Sequence, residues 1–159
     1  MLSFLFNTYA GSSFMNTQRV FTIAEVNALI PDLSDLVGDQ LREQSDIEHG
    51  LAELTALCGT TPESLETDAA DLREVVKLKR ELSKRIARYE AGWARVQTMG
   101  GVIKDPQIGL VDFYGRIGGK LVWLCWRYGE DKLTHYHELE SSYFGRHALS
   151  ADQRRELLN

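Results

Sequence analysis

Cysteine and proline are scarce in this chain of 159 residues, which has two of the former and three of the latter. Cys58 and Cys125 lie far apart, so we do not expect the disulfide framework of a small secreted domain. The chain has no apolar run of the length that a bilayer requires, and the short run at residues 2–6 lacks the features of an export signal. These absences predict a reduced, cytoplasmic protein with no membrane contact.

Positive charge is also in short supply. Eighteen Lys and Arg residues face 23 Asp and Glu residues, which gives a formal net charge of -5. Nucleic-acid binding depends on clustered basic side chains, so we expect no nucleic-acid partner. Basic residues do concentrate between Lys77 and Arg88, but Glu81 interrupts them at helical spacing. Mixed charge of this kind is typical of a solvated helix face.

The remaining composition is that of one globular domain, with 43% hydrophobic and 26% charged residues. We predict that residues 1–19 form a disordered or frayed tail and that residues 20–159 form a single domain. Within it we expect a helical hairpin over 22–99, a β-rich segment over 102–149 and a terminal helix over 150–158.

Two long amphipathic helices are predicted in the first part of the domain. Thr22 and Glu25 form a capping box, and apolar residues then recur with helical period until Gly59. A second helix is expected to begin near Pro62 and to end at Gly100. A connection of a few residues would make the helices antiparallel.

The second helix carries a coiled-coil-like apolar seam from Leu82 to Val96, with alternating spacings of four and three residues. Neither helix is apolar on all sides, and the hairpin alone would leave its stripe partly exposed. We therefore expect a homodimer formed through the hairpin, with another protein partner as the alternative.

After Gly101 the apolar period changes to two. Residues 109–117 and 120–128 flank Gly118-Gly119, a pair that suits the turn of a β-hairpin, and residues 133–139 are a plausible third strand. Ser150 and Gln153 would cap a short terminal helix. The predicted fold class is α+β, with a long antiparallel helical hairpin followed by a small antiparallel sheet and a short C-terminal helix.

The predicted turn places polar side chains together on one sheet face. If Gly118-Gly119 is a two-residue turn, Asp112 lies directly opposite Cys125. His135 and His137 share a face, and they join this pair if the third strand sets residue 127 beside residue 133. Thiolate, imidazole and carboxylate groups are the ligands of Zn(II) and Fe(II). The other face, with its apolar residues, would pack on the helices.

Simpler interpretations of the same residues stay open. Cys125 can be a small buried apolar side chain and the histidines surface or interface groups, or the patch can be a nonmetal pocket. A carboxylate at Asp112, in a half-buried strand, needs a partner, for which the candidates are Arg116, Arg127 and Arg146. Arg146 alternatively presents its guanidinium to an anion. Trp123 and Trp126 point to opposite faces, so one is a candidate ligand-stacking ring.

Five segments, FTIAEVNALIPDL, KDPQIGLVDFYGR, LCWRYGE, YHELE and FGRHAL, resemble a prokaryotic family known as domain of unknown function 2203. The resemblance extends from about Phe21 to Leu149. It implies a helical hairpin with a compact C-terminal part and brings no activity with it. The family usually has Trp where Tyr136 stands, and His135 falls outside its pattern. The positions that it marks are Asp112, Cys125, Trp126, Arg127, Gly129, Glu130, His137, Glu138 and Arg146.

We therefore predict a binding protein with a metal site, occupied by Zn or Fe, on the C-terminal β-segment. Glu138 enters the ligand set through the resemblance alone, because strand alternation puts it on the other face. The predicted metal ligands are Cys125, His137, Glu138 and Asp112. The predicted ligand-binding residues are Trp126, Arg127, Arg146 and His135.

Two further functions remain as alternatives. The first is a structural or regulatory interaction module that acts through the helical hairpin. The second is a cysteine-dependent enzyme with Cys125 as nucleophile and His137 as base. This enzyme would need an exposed thiol with a lowered pKa, which a strand position does not favour.

Overall fold

The computed structural model describes residues 19–156. The predicted frayed tail over 1–19 and the last residues of the predicted terminal helix fall outside this range, apart from Arg19. Within it, two long helices pack against each other and are followed by a five-stranded antiparallel sheet and a short helix. The predicted α+β class is confirmed. No helix in residues 19–156 is long and apolar enough to cross a membrane.

Helix α1 spans Ile23–Cys58 and begins at the predicted capping box. Thr22 Oγ1 accepts from the Glu25 backbone N–H at 3.1 Å, and Glu25 Oε2 accepts from the Thr22 N–H at 2.8 Å. These contacts satisfy two donors that a helix start would otherwise leave free. The helix ends at Gly59, whose φ of 76° is a left-handed conformation that glycine adopts without strain.

Helix α2 spans Arg73–Thr98, so the prediction that it begins near Pro62 was wrong. The connection covers residues 59–72 and is held by local side-chain hydrogen bonds. Ser64 Oγ accepts from the Glu66 N–H, and Asp68 Oδ1 accepts from the Ala70 N–H. Such bonds compete with helical backbone pairing, which explains why helix formation is delayed to residue 73.

The apolar seam of α2 is buried within the chain. Leu82, Tyr89, Trp93 and Val96 belong to the hydrophobic core, and Ile86 packs against it. Because α1 covers these side chains, they are not a free surface for a second chain. The predicted homodimer stays a prediction, and it would have to use other residues.

The sheet is a meander in the order β1 to β5. Its strands are β1 Val102–Asp105, β2 Leu110–Ile117, β3 Lys120–Arg127, β4 His135–Glu138 and β5 His147–Ala148. The predicted hairpin turn is confirmed, since Ile117 pairs with Lys120. Strands β1 and β5 lie in the predicted β-rich segment but were not themselves predicted. A 3₁₀ turn over Tyr143–Gly145 precedes β5, and helix α3 spans Ala151–Glu156 with the predicted Ser150–Gln153 cap.

One face of the sheet packs on the helices. Side chains at alternate positions of β2 and β3 join the core: Val111, Phe113, Val122, Leu124 and Trp126. Phe21 meets Phe113 edge to face with ring centroids 5.1 Å apart. Farther along the sheet, Asn27 Oδ1 accepts from the Leu133 N–H at 2.8 Å. These contacts fix the sheet on α1, so the other face, which carries the polar group, is directed away from the helices.

Candidate metal centre

The outward face of the sheet brings three potential metal ligands together. Asp112 on β2 pairs directly with Cys125 on β3, and Cys125 pairs with His135 on β4, in the predicted register. His137 lies two residues further along β4 and shares this face. One ligand atom from each of Asp112, Cys125 and His137 lies within 4.8 Å of the other two.

This group is buried although it does not face the helices. Asp112 and Cys125 are 0% exposed, and His137 is 2% exposed. Trp123 covers the same face, with its ring centroid 3.9 Å from that of Tyr114 and the Lys104 ammonium 3.7 Å above it. This stack of ring, ring and cation lies on the same sheet face as the buried carboxylate of Asp112.

His137 is oriented by hydrogen bonds at both ring nitrogens. Nδ1 lies 2.9 Å from the carbonyl oxygen of Glu138, which can only accept, so Nδ1 carries a proton and donates. Nε2 lies 2.7 Å from Asp112 Oδ2. The partner of Asp112 is therefore His137, and none of the three arginines proposed from the sequence takes that place. Arg146 binds Glu130, Arg127 binds Tyr143, and Arg116 binds the Gly119 carbonyl.

Burial has the largest effect on the pKa values of Asp112 and Cys125. It raises the pKa of Asp112, against the opposing charge and hydrogen bond of His137. It also strongly raises the pKa of the Cys125 thiol, and the negative charge of Asp112 adds to this effect. Within residues 19–156, Asp112 Oδ1 has no hydrogen-bond partner of normal geometry, and the Cys125 thiol is a weak donor to this carboxyl group.

A second polar cluster adjoins the three ligands. Arg146 pairs with Glu130, and its Nη2 lies 2.8 Å from His135 Nδ1. An arginine can only donate, so His135 Nδ1 accepts this bond and is not free to bind a metal. Burial and the nearby charge of Arg146 both lower the pKa of His135. Arg127 completes the cluster by donating to the Tyr143 hydroxyl at 3.2 Å.

Residues 19–149 match the model of a family described as Uncharacterized conserved protein (DUF2203). The chain belongs to this family. No curated protein and no solved structure matches the chain.

Seven of the nine positions that the family resemblance marks lie in this site or beside it. Asp112, Cys125 and His137 form the ligand group, and Arg127, Glu130 and Arg146 form the adjoining cluster. Trp126 is fully buried on the helix-facing side and donates from Nε1 to the Glu130 carbonyl at 2.9 Å. Trp126 therefore holds the backbone of Glu130, and its ring does not line the ligand group.

Glu138 does not join the other predicted ligands. It pairs with Val122, whose side chain belongs to the core, and its own side chain is exposed. Successive residues of a strand point to opposite faces, so Glu138 and His137 cannot both face Asp112. The contribution of Glu138 is its backbone carbonyl, which holds Nδ1 of His137.

Two residues of this face were missed from the sequence. Lys104 lies on β1, and the charge of Asp112 opposes the lowering of its pKa by burial. The sequence left open whether the ring of Trp123 or that of Trp126 lies on this face. It is the ring of Trp123, whose centroid is 6.5 Å from that of His137. Recognising β1 as a strand after Gly101 would have placed Lys104 on the same face as Asp112.

Proposed function

We propose that this protein binds a divalent metal ion, Zn(II) or Fe(II), through Asp112, Cys125 and His137. The observation that carries the proposal is the convergence of three different ligand atoms within 4.8 Å in a fully buried position. Tetrahedral zinc with bonds of about 2.0–2.3 Å needs ligand atoms roughly 3.3–3.8 Å apart, so small side-chain movements would suffice.

Charge balance supports a divalent ion. A thiolate and a carboxylate supply two negative charges in a buried site, and neutral imidazole adds none. A buried ion is tolerated when its charge is compensated, and M²⁺ compensates this pair. The mixture of sulfur, nitrogen and oxygen donors suits zinc and is also compatible with iron.

The surroundings of the ligands support the same proposal. The Glu138 carbonyl fixes the tautomer that leaves His137 Nε2 for coordination, a usual second partner of metal-bound histidine. In the part of the chain that the structure describes, the buried oxygen Oδ1 of Asp112 has no regular donor, and a cation would satisfy it. Three protein ligands leave a fourth position for water or another small ligand.

The cysteine-enzyme alternative has less support. The Cys125 thiol is buried, and its raised pKa keeps it protonated at neutral pH, whereas a nucleophile needs an accessible thiolate. A metal would resolve this conflict, because coordination deprotonates the thiol. Burial and a raised thiol pKa, which argue against the enzyme, are therefore compatible with a role of Cys125 as a metal ligand.

The test is the metal content of untagged protein, measured by plasma mass spectrometry after purification without chelators. We expect about one zinc or iron per chain in the wild type. Cys125→Ser and His137→Gln should lose it, while the matched controls Cys58→Ser and His147→Gln, both at exposed residues, retain it. Glu138→Gln should also retain it, because its side chain points to the other face.

Apo protein, prepared with a chelator and titrated with Zn²⁺, provides the second measurement. Zinc should raise the urea midpoint of the wild type and of the control variants but not that of Cys125→Ser. Absence of stoichiometric metal in purified protein, together with an unchanged midpoint on titration, would overturn the proposal.

A further inference from the structure

We propose that the cluster beside the metal ligands is an oxyanion site, in which Arg146 Nη1 holds a carboxylate or inorganic oxyanion bound at the open position of the metal. This inference rests on the proposed metal function. It adds a ligand class, a small oxyanion, to a site that would otherwise be only a metal centre.

The first support is an unused donor. Arg146 is largely buried, with a side-chain exposure of 13%, and its Nη1 has no hydrogen-bond partner among residues 19–156. An unsatisfied buried guanidinium nitrogen costs stability, and native proteins keep few of them. A ligand oxygen is the natural partner, because the planar guanidinium favours carboxylate and phosphate groups.

The second support is how firmly the guanidinium is held. Glu130 Oε1 and His135 Nδ1 both accept from Nη2, and the guanidinium carbon lies 5.0 Å from the ring centroid of Tyr143. The other oxygen of Glu130 accepts from the Arg127 N–H at 2.9 Å. Both carboxylate oxygens are thus occupied, and Arg146 presents its remaining nitrogen from a fixed position.

The third support is the position and charge of the cluster. His135, which touches Arg146, pairs directly with Cys125 across the strands, and the charge of Arg146 acts on the Cys125 thiol. Arg127 makes no ion pair within residues 19–156. Lys104 adds a cation above Trp123 on the same face. Once a divalent metal has neutralised Asp112 and Cys125, this face carries surplus positive charge, which favours an anionic ligand.

The experiment uses full-length protein with cobalt(II) in place of zinc, because the visible spectrum of cobalt reports its coordination. Acetate, oxalate and phosphate are titrated separately. At least one of these oxyanions should change the spectrum of the wild-type protein with a saturable dependence on concentration. Arg146→Gln should retain cobalt and bind that anion at least about tenfold more weakly, the loss expected for a charged hydrogen bond.

Two variants keep the result interpretable. Arg116→Gln removes an exposed guanidinium at the far end of the same hairpin and should leave anion binding unchanged. Arg146→Lys keeps the positive charge but not the planar guanidinium, so its anion affinity should fall between those of the wild type and Arg146→Gln. Circular dichroism would show whether each variant is folded.

The outcomes separate the two proposals. If cobalt does not bind, the metal function fails and this inference fails with it. If cobalt binds and none of the three anions changes the spectrum, or if Arg146→Gln titrates like the wild type, only the oxyanion site is overturned.

Discussion

His137 Nε2 lies 2.7 Å from Asp112 Oδ2, although the two residues stand on strands separated by β3. Nδ1 of the same ring already donates to the Glu138 carbonyl. The contact between Nε2 and Oδ2 therefore requires one more proton, on either the imidazole or the carboxyl group. In the metal-free protein this shared proton occupies the place that a metal ion would take.

Zinc binding is accordingly expected to release about two protons per chain, one from the Asp112–His137 contact and one from Cys125. The raised pKa of Cys125 sets the direction of the pH dependence, because a thiol that is protonated in the apo protein must lose its proton to coordinate zinc. Zinc affinity should therefore rise with pH. Isothermal titration calorimetry in buffers of different ionisation enthalpy would count the protons. Cys125→Ser should lower both the count and the affinity, and a pH-independent affinity would contradict the prediction.

The two cysteines should differ sharply in reactivity. Cys58 is exposed near the end of α1, whereas Cys125 is buried and its pKa is strongly raised. In native protein, iodoacetamide should modify Cys58 within minutes and leave Cys125 intact, since alkylation requires an accessible thiolate. Peptide mass spectrometry would locate the label, and alkylation in urea serves as the control in which both react. Modification of native Cys125 at the rate of Cys58 would contradict its placement.

The candidate site was predictable to the extent that it depends on strand register. The Gly118-Gly119 turn fixes the pairing of Asp112 with Cys125, and alternation along β4 puts His137 on the same face. Strand alternation does not predict which side chains touch across an intervening strand. His137 pairs with Trp123 and still contacts Asp112 on the strand beyond, because its ring extends diagonally over the face.

The errors in the fold arose where side chains compete with backbone periodicity. Residues 62–72 carry apolar residues at helical spacing, which led to the early helix start. Asp68, Asp71 and Ser64 instead accept from nearby backbone N–H groups and hold an irregular connection. Strands β1 and β5 are four and two residues long, too short to show a period of two.

Gly92 on α2 lies against the side chain of Gln40 on α1. A Cβ at this position would collide with Gln40 Oε1, and the Gln40 amide donates to the Tyr89 carbonyl. Gly92→Ala should therefore lower the free energy of unfolding, because an overpacking cost of about 1–3 kcal/mol, which includes displacing the buried Gln40 amide, exceeds the gain in helix propensity. An ordinary helical glycine would show the opposite sign, because alanine is the better helix former by about 1 kcal/mol.

A double-mutant cycle tests the cause of this effect. In a Gln40→Ala background the clash is removed, so Gly92→Ala should become neutral or stabilising in urea unfolding. Equal destabilisation in both backgrounds would show that Gln40 is not the obstacle.

Lys79 ties the irregular connection to α2. Its ammonium is nearly buried and donates to the Glu66 carbonyl at 2.9 Å and to Asp71 Oδ2 at 2.8 Å. The hydrogen bond from the Asp68 N–H, and then the one from Lys79, lowers the pKa of Asp71 below its usual value of 3.8. A carboxyl group with a lowered pKa stabilises the folded state above its unfolded pKa, and the stabilisation disappears as the pH falls through the folded pKa.

Asp71→Asn should therefore lower the free energy of unfolding near neutral pH, and the difference from the wild type should shrink as the pH falls below 3.8 and through the lowered pKa of Asp71. Urea unfolding at several pH values would follow this difference. Asp35→Asn, at an exposed position on α1, is the matched control and should show little difference at any pH. A loss that persists unchanged in acid would mean that Asp71 acts through its shape and hydrogen bonding and not through its charge.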